Sequence, residues 1–104
     1  CVEVTRTIGK TGDIIVGRWE DGRLGTVRTQ PQSWKYGAVV FRPKGVEQSH
    51  PDMQSSYTPM LREIVKFFRT GTPPVPNEET LEIFAFMDAA QKSKEQGGKP
   101  IKLR

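Results

Sequence analysis

The first half of the chain alternates apolar and polar positions with the two-residue period of β-strands. Residues 2–8 show this alternation, and residues 34–43 form a β-branched and aromatic run that ends at Pro43. A further short strand is expected near residues 46–48. Together with the hairpin described next, these runs predict about four antiparallel strands joined by short turns.

The clearest local signal is Asp21-Gly22, which lies between two β-rich runs. Because glycine tolerates the positive φ that a type I′ turn requires, this dipeptide predicts a two-residue hairpin loop. The register that follows pairs Glu20 with Arg23, Trp19 with Leu24, and Val16 with Val27. The two faces of the hairpin are then expected to carry Ile15, Trp19 and Leu24 on one side, and Val16 and Val27 on the other.

The second half of the chain has helical periodicity. Its first helix is predicted to have Thr58 as N-cap, Pro59 in its first turn and Gly71 at its end. Apolar residues recur along it at helical spacing, namely Met60, Leu61, Ile64, Val65, Phe67 and Phe68. After a proline-rich connector, a second helix is predicted. It is expected to have Asn77 as its cap, Glu78 and Glu79 in its first turn, and Gly97-Gly98 at its end.

Apolar side chains occur on nearly every side of this second helix. At 100° per residue, one group consists of Leu81, Phe84 and Ala85. Phe86 and Ala90 lie on the opposite side, and Ile83 and Met87 lie between the two groups. A surface helix normally has one apolar stripe, so this helix is expected to be covered on two sides. One side should meet the sheet and the first helix. The other needs a partner outside this chain, unless the first helix covers both.

These elements predict a single α+β domain over residues 1–104. It has an antiparallel sheet of four to five strands, two helices packed against the sheet, and a short C-terminal strand over residues 99–103. Because the chain begins at Cys1 and continues directly into a strand-like pattern, we expect it to be a piece of a longer protein.

Charge and composition exclude several partners. The net charge is +4, but acidic residues are interleaved with basic ones, and the concentrated positive surface of a nucleic-acid-binding protein is missing. No apolar run approaches the roughly 18 residues of a membrane span. A single cysteine rules out an internal disulfide and favours a reducing, cytoplasmic location.

No residue is predicted to be catalytic, cofactor-binding or metal-binding. The Gly-Lys-Thr at residues 9–11 lacks the earlier glycine of a phosphate-binding loop, since Val4 stands there, and a strand follows it. His50 has only Asp52 as a nearby acid, and together with Cys1 it does not make a metal site. No Gly-x-Gly-x-x-Gly occurs that could bind a dinucleotide.

Some aromatic and acidic side chains have two interpretations. Trp19, Trp34 and Tyr36 could stack on a sugar or a base, but cross-strand packing is the favoured interpretation. Asp88, among apolar neighbours on the second helix, could be a functional acid. It is expected instead to pair with Lys92, four residues further on.

The C-terminal half contains an ordered set of features: the helix MLREIVKFF, Gly71, Pro73-Pro74, Glu78-Glu79, Ala89-Ala90, Ser93, Gly97-Gly98, and a closing strand with Ile101 and Leu103. In this order and spacing, residues 58–104 resemble the end of the glucose–fructose oxidoreductase / inositol dehydrogenase / rhizopine catabolism family. The resemblance implies a parent enzyme in which an upstream Rossmann domain holds NAD or NADP. The C-terminal domain presents an antiparallel sheet to the substrate and often to another subunit.

The catalytic lysine and histidine of that family do not map onto this sequence. The lysine lies in a Glu-Lys-Pro motif, whereas the nearest string here is Gly98-Lys99-Pro100 in the closing segment. The histidine lies on a helix, whereas His50 precedes a proline in a loop. Both groups and the cofactor are therefore expected upstream of Cys1.

The resemblance thus implies that the chain is the substrate-side and oligomerisation domain of an NAD(P)-dependent sugar or cyclitol oxidoreductase, inactive on its own. Its expected partners are the upstream Rossmann domain and a second copy, bound through the sheet or the last helix. The alternative is a free-standing module that binds a protein or a nucleic acid.

Overall fold

The computed structural model describes residues 1–33, 35–49 and 56–103. In chain order the strands are β1 (Glu3–Thr7), β2 (Ile14–Arg18), β3 (Leu24–Arg28), β4 (Val39–Arg42), β5 (Gly45–Gln48) and β6 (Ile101–Lys102), and the helices are α1 (Thr58–Thr70) and α2 (Asn77–Glu95). The chain forms two compact units, residues 1–31 with 75–104 and residues 32–74. The fold class is α+β, as the sequence predicts.

The first unit is a four-stranded antiparallel sheet with α2 packed against one face. The strand order is β3-β2-β1-β6, so the short closing strand pairs with the first strand and completes the sheet. Val4 in β1 is fully buried, and Ile15, Ala89 and Ala90 lie around it. The small side chains of α2 let the helix approach β1 closely, which is how a short chain forms a core.

The hairpin between β2 and β3 forms around Asp21-Gly22, but its register differs from the predicted one. Arg18 pairs with Leu24, and the N–H of Trp19 donates to the carbonyl oxygen of Arg23 at 2.9 Å. The loop therefore has three residues, not two. Gly22 has φ 86°, and no residue other than glycine has positive φ in the described part of the chain. This is a type I turn followed by a left-handed glycine, since a type I′ turn would need positive φ at Asp21 as well.

The shift of one residue also corrects the predicted faces. Ile15 pairs with Val27, and Arg18 pairs with Leu24. Val27 therefore shares the helix-facing side with Ile15 and Trp19, while Leu24 lies on the opposite side with Val16. A change of one residue in register moves every side chain of a strand to the other face.

Replacing Gly22 by alanine is expected to destabilise this hairpin. A left-handed conformation costs an ordinary L-residue about 1–2 kcal/mol, and Gly22→Ala should lower the free energy of unfolding of the first unit by about that amount. Urea unfolding followed through the amide signals of β2 and β3 measures the effect. Gly22→Asn is the matched variant and should lose less, because asparagine tolerates this conformation better. Equal losses in both variants would contradict the turn assignment.

The helix starts are each one residue away from the predicted caps. Thr58 is the first residue of α1, and the preceding Tyr57 is its N-cap, with Pro59 in the first turn as expected. Asn77 is the first residue of α2, and its N-cap is Pro76, whose extended backbone (φ −60°, ψ 144°) leads into the helix. Neither cap residue makes a side-chain capping bond, so the helices begin without the hydrogen bonds that the sequence suggested.

The helix ends follow the sequence closely. Gly71 closes α1 in a left-handed conformation and donates its N–H to the carbonyl oxygen of Phe67 at 2.7 Å. After α2, Gly97 and Gly98 both have positive φ, and the N–H of Gly98 donates to the carbonyl oxygen of Ser93 at 2.8 Å. Glycine suits the ends of both helices because, without a Cβ, it adopts positive φ without steric strain.

The second unit contains α1 and a two-stranded antiparallel hairpin of β4 and β5. The predicted strand over residues 34–43 begins only at Val39 and ends before Pro43, while the strand expected near residues 46–48 is confirmed as β5. In α1 the apolar side chains form a broad stripe, and no residue of the helix is buried. Trp34 lies outside the described residues.

Candidate functional site

The sequence singled out few residues for chemistry, and some of these cannot be placed. His50 and Asp52 lie outside the described residues, as does Trp34. Lys99 is exposed in the segment between α2 and β6. In the described part of the chain, no group of histidine, cysteine and acidic side chains could hold a metal ion. Of the two described helices, neither is long and apolar enough to cross a membrane.

The thiol of Cys1 is part of the core. Its Sγ lies 3.5 Å from the carbonyl oxygens of both Glu3 and Arg18, and the residue is buried against Val4 and its neighbours. A buried thiol in apolar surroundings is a packing group rather than a nucleophile, which needs its thiolate and access to a substrate.

Asp88 and Lys92 form the ion pair that the sequence predicts. The Nζ of Lys92 lies 2.7 Å from Oδ2 of Asp88, on an exposed part of α2. The hydrogen bond to Asp88, together with its charge, raises the pKa of Lys92 above its ordinary value. An exposed pair at this spacing contributes a few tenths of a kcal/mol to helix stability.

Trp19 packs between the sheet and α2. Its ring is stacked on Phe86, with centroids 6.2 Å apart and planes 20° from parallel. It also lies over Gly17 and the cross-strand Gly25, where an added Cβ would come within 2.9 Å and 3.0 Å of the indole ring. Its Nε1 donates to Oε1 of Glu82 at 2.9 Å. The packing interpretation of Trp19 is therefore confirmed.

A polar cluster that the sequence did not predict holds the connection between β1 and β2. Nε of Arg6 donates to Oδ2 of Asp13 at 2.7 Å, and the N–H of Gly9 donates to Oδ1 at 3.3 Å. The N–H of Asp13 donates to Oγ1 of Thr29 at 2.9 Å. Asp13 is buried, with 7% of its surface exposed. Hydrogen bonds from Arg6 and Gly9 hold the pKa of the Asp13 carboxyl below its ordinary value.

Asp13 should make the stability of the first unit depend on pH. Since its pKa is lower in the fold than the ordinary 3.8, its stabilising contribution is complete above that value and is lost as the pH falls through the folded pKa. The difference in urea midpoint between the wild type and Asp13→Asn should be constant from neutral pH to about pH 5 and shrink at lower pH.

The partner of Asp13 in its ion pair, Arg6, provides the control for this experiment. Arg6→Met removes the Arg6 guanidinium, which lies 2.7 Å from Asp13. In the Arg6→Met background, the loss of stability with falling pH that Asp13 causes should be smaller. Adding Asp13→Asn to Arg6→Met should then change the acid dependence less than it does in the wild type. A wild-type acid dependence in Asp13→Asn would show that Asp13 is not responsible.

The outer side of α2 is an apolar surface that the first unit leaves uncovered. The buried residues of the helix are Ala89, Ala90 and Ser93, and Phe86 is half-buried beside them. On the opposite side, Leu81 is 67% exposed and Phe84 is 64% exposed. The side around Phe86 and Ala90 is the one that meets the sheet, and the expectation that a partner covers the other apolar side stays a prediction.

The face of the sheet away from α2 is a second uncovered surface. Leu24 is 69% exposed and Ile14 is 46% exposed, and Val16 lies between them on β2 with partial exposure. Threonine side chains from β1 and β3 share this face, because Thr5 pairs with Val16 and Val16 with Thr26. An antiparallel sheet can have one solvated face, but that face then normally carries polar residues.

These two surfaces, rather than a cluster of reactive groups, are the candidate functional site. The sequence predicted the first from helical periodicity. The second was expected only through the family resemblance, which implied contact with another subunit through the sheet; the predicted hairpin register placed Val27, rather than Leu24, on the same face as Val16. Comparison of the chain with protein-family models, with curated proteins and with solved structures finds no match in any of the three.

Proposed function

We propose that this chain is the non-catalytic C-terminal domain of an NAD(P)-dependent sugar or cyclitol oxidoreductase, acting in the cytoplasm. In this role it supports the substrate side of the enzyme and contacts the upstream Rossmann domain and a second subunit. The proposal has two parts, an interface role and an enzymatic context, and different observations support them.

The interface role rests on the outer side of α2. Leu81, Phe84 and Met87 are each more than half exposed, whereas the other side of the same helix packs on β1 through alanine and serine. Contiguous exposed apolar side chains of this kind are typical of surfaces that another protein or domain covers. In the proposed enzyme, the upstream domain covers this side.

A second subunit would cover the open face of the sheet. Ile14, Val16 and Leu24 give this face an apolar centre, and Arg18 and Glu3 form an ion pair at 3.6 Å on the same face. An apolar centre with charged groups around it is the usual arrangement in a subunit interface.

The enzymatic context rests on the resemblance of residues 58–104 to the oxidoreductase family named above. The structure is compatible with that resemblance at two points, since Gly71 ends one helix and Gly97-Gly98 ends the next. The cofactor and the catalytic lysine and histidine belong to the upstream part in this proposal. NAD or NADP would therefore bind outside these residues.

The coding sequence upstream of Cys1 tests the enzymatic context. The proposal expects a Gly-x-Gly-x-x-Gly after a strand, followed later by Glu-Lys-Pro. A start codon close to Cys1 without these motifs would favour a free-standing interaction module. Turnover of a sugar or cyclitol by the chain alone with NAD(H) or NADP(H) would overturn the assignment of catalysis to the upstream part.

The interface role is tested by Phe84→Glu. The chain alone should associate with itself as its concentration rises, because an uncovered apolar surface is buried when two copies meet. A charge in place of a central aromatic side chain should weaken this association by about tenfold or more, measured by sedimentation velocity.

Thr11→Glu is the matched control for this variant. Thr11 is exposed in the turn between β1 and β2, and the substitution adds the same charge away from α2. It should leave association unchanged. A wild-type chain that stays monomeric at all concentrations and binds no hydrophobic dye would contradict the interface role, whatever the upstream coding sequence contains.

A further inference from the structure

We draw no further inference here: the strongest candidate, the apolar groove between the first turns of α2 and the end of β6 that Glu78 and Glu79 border, rests on acidic side chains beside an unpartnered apolar face, and nothing in the structure shows what covers it.

Discussion

Replacing Ser93 by alanine is expected to lower the free energy of unfolding of the first unit by about 1–3 kcal/mol, because two backbone groups that bond to its buried hydroxyl lose their partner. The Ser93 hydroxyl accepts the N–H of Arg6 at 2.9 Å and donates to the carbonyl oxygen of Lys99 at 2.7 Å. The residue has no exposed surface. One hydroxyl thus joins α2 to β1 and to the segment that leads into β6.

The size of this effect follows from burial. Loss of a buried hydrogen-bond partner costs about 1–3 kcal/mol, and the Ser93 hydroxyl is buried. Lys99 lies in an exposed segment, so water can offset part of the loss at its carbonyl oxygen. Urea unfolding followed through the amide signals of β1 measures the loss. The exchange rate of the Arg6 amide should rise in the same variant, because its acceptor is gone.

Thr70→Ala is the control for the Ser93 experiment. The Thr70 hydroxyl also makes two hydrogen bonds, donating to the carbonyl oxygen of Lys66 and accepting the N–H of Thr72, but it is exposed at the end of α1. Water can replace both partners, so the loss should stay within about 0.5 kcal/mol. Comparable losses at Ser93 and Thr70 would show that the burial of the Ser93 hydroxyl does not cause the larger loss.

Gly17→Ala is expected to lower the free energy of unfolding by about 1–3 kcal/mol, because the added methyl group overfills the layer between β2 and α2. A Cβ at this position would lie 2.6 Å from Cε2 of Phe86 and 2.9 Å from Cζ3 of Trp19. Both distances are shorter than van der Waals contact, so at least one ring must move. The emission of Trp19, recorded with Trp34→Phe to remove the other tryptophan, should shift.

A second substitution tests whether the rings cause this loss. Phe86→Leu removes the atom nearest to the new methyl group, so Gly17→Ala should cost less in that background than in the wild type. The difference between the two costs is the coupling of a double-mutant cycle. Additive effects would show that Phe86 does not limit the space at Gly17.

Helical periodicity predicted α2 correctly but did not say which side faces the sheet. Leu81 and Phe84 point away from the sheet, whereas Phe86, Ala89 and Ala90 meet it. A helix that packs closely on a strand needs small side chains at the contact. The sheet-facing side thus combines Phe86 with small residues, and helical periodicity alone did not distinguish it from the side that carries Leu81 and Phe84.

The hairpin shows why a local signal can give the turn and miss its register. Asp21-Gly22 suits both a type I′ turn and a type I turn followed by a left-handed glycine. The two differ by one loop residue, and the choice places either Leu24 or Val27 against α2. Packing of the whole unit places Val27 against α2, and the residues next to the turn do not predict this choice.

The polar groups that organise the first unit had no sequence signal. Ser93 and Arg6 are 87 positions apart, and Trp19 and Glu82 are 63 positions apart. Neither pair has a spacing that belongs to a helix or a strand. Asp88 and Lys92, which lie one helical turn apart, could be predicted because their contact is local.

The pairing of β6 with β1 has a consequence for synthesis on the ribosome. Val4, near the start of the chain, is covered by α2, and Val4 pairs with Ile101. The hairpin of β1 and β2 can form while the chain is still growing, but its apolar face stays uncovered until α2 (Asn77–Glu95) has been synthesised. Nascent chains that stall before α2 emerges should therefore be preferred clients of chaperones that hold exposed β-structure.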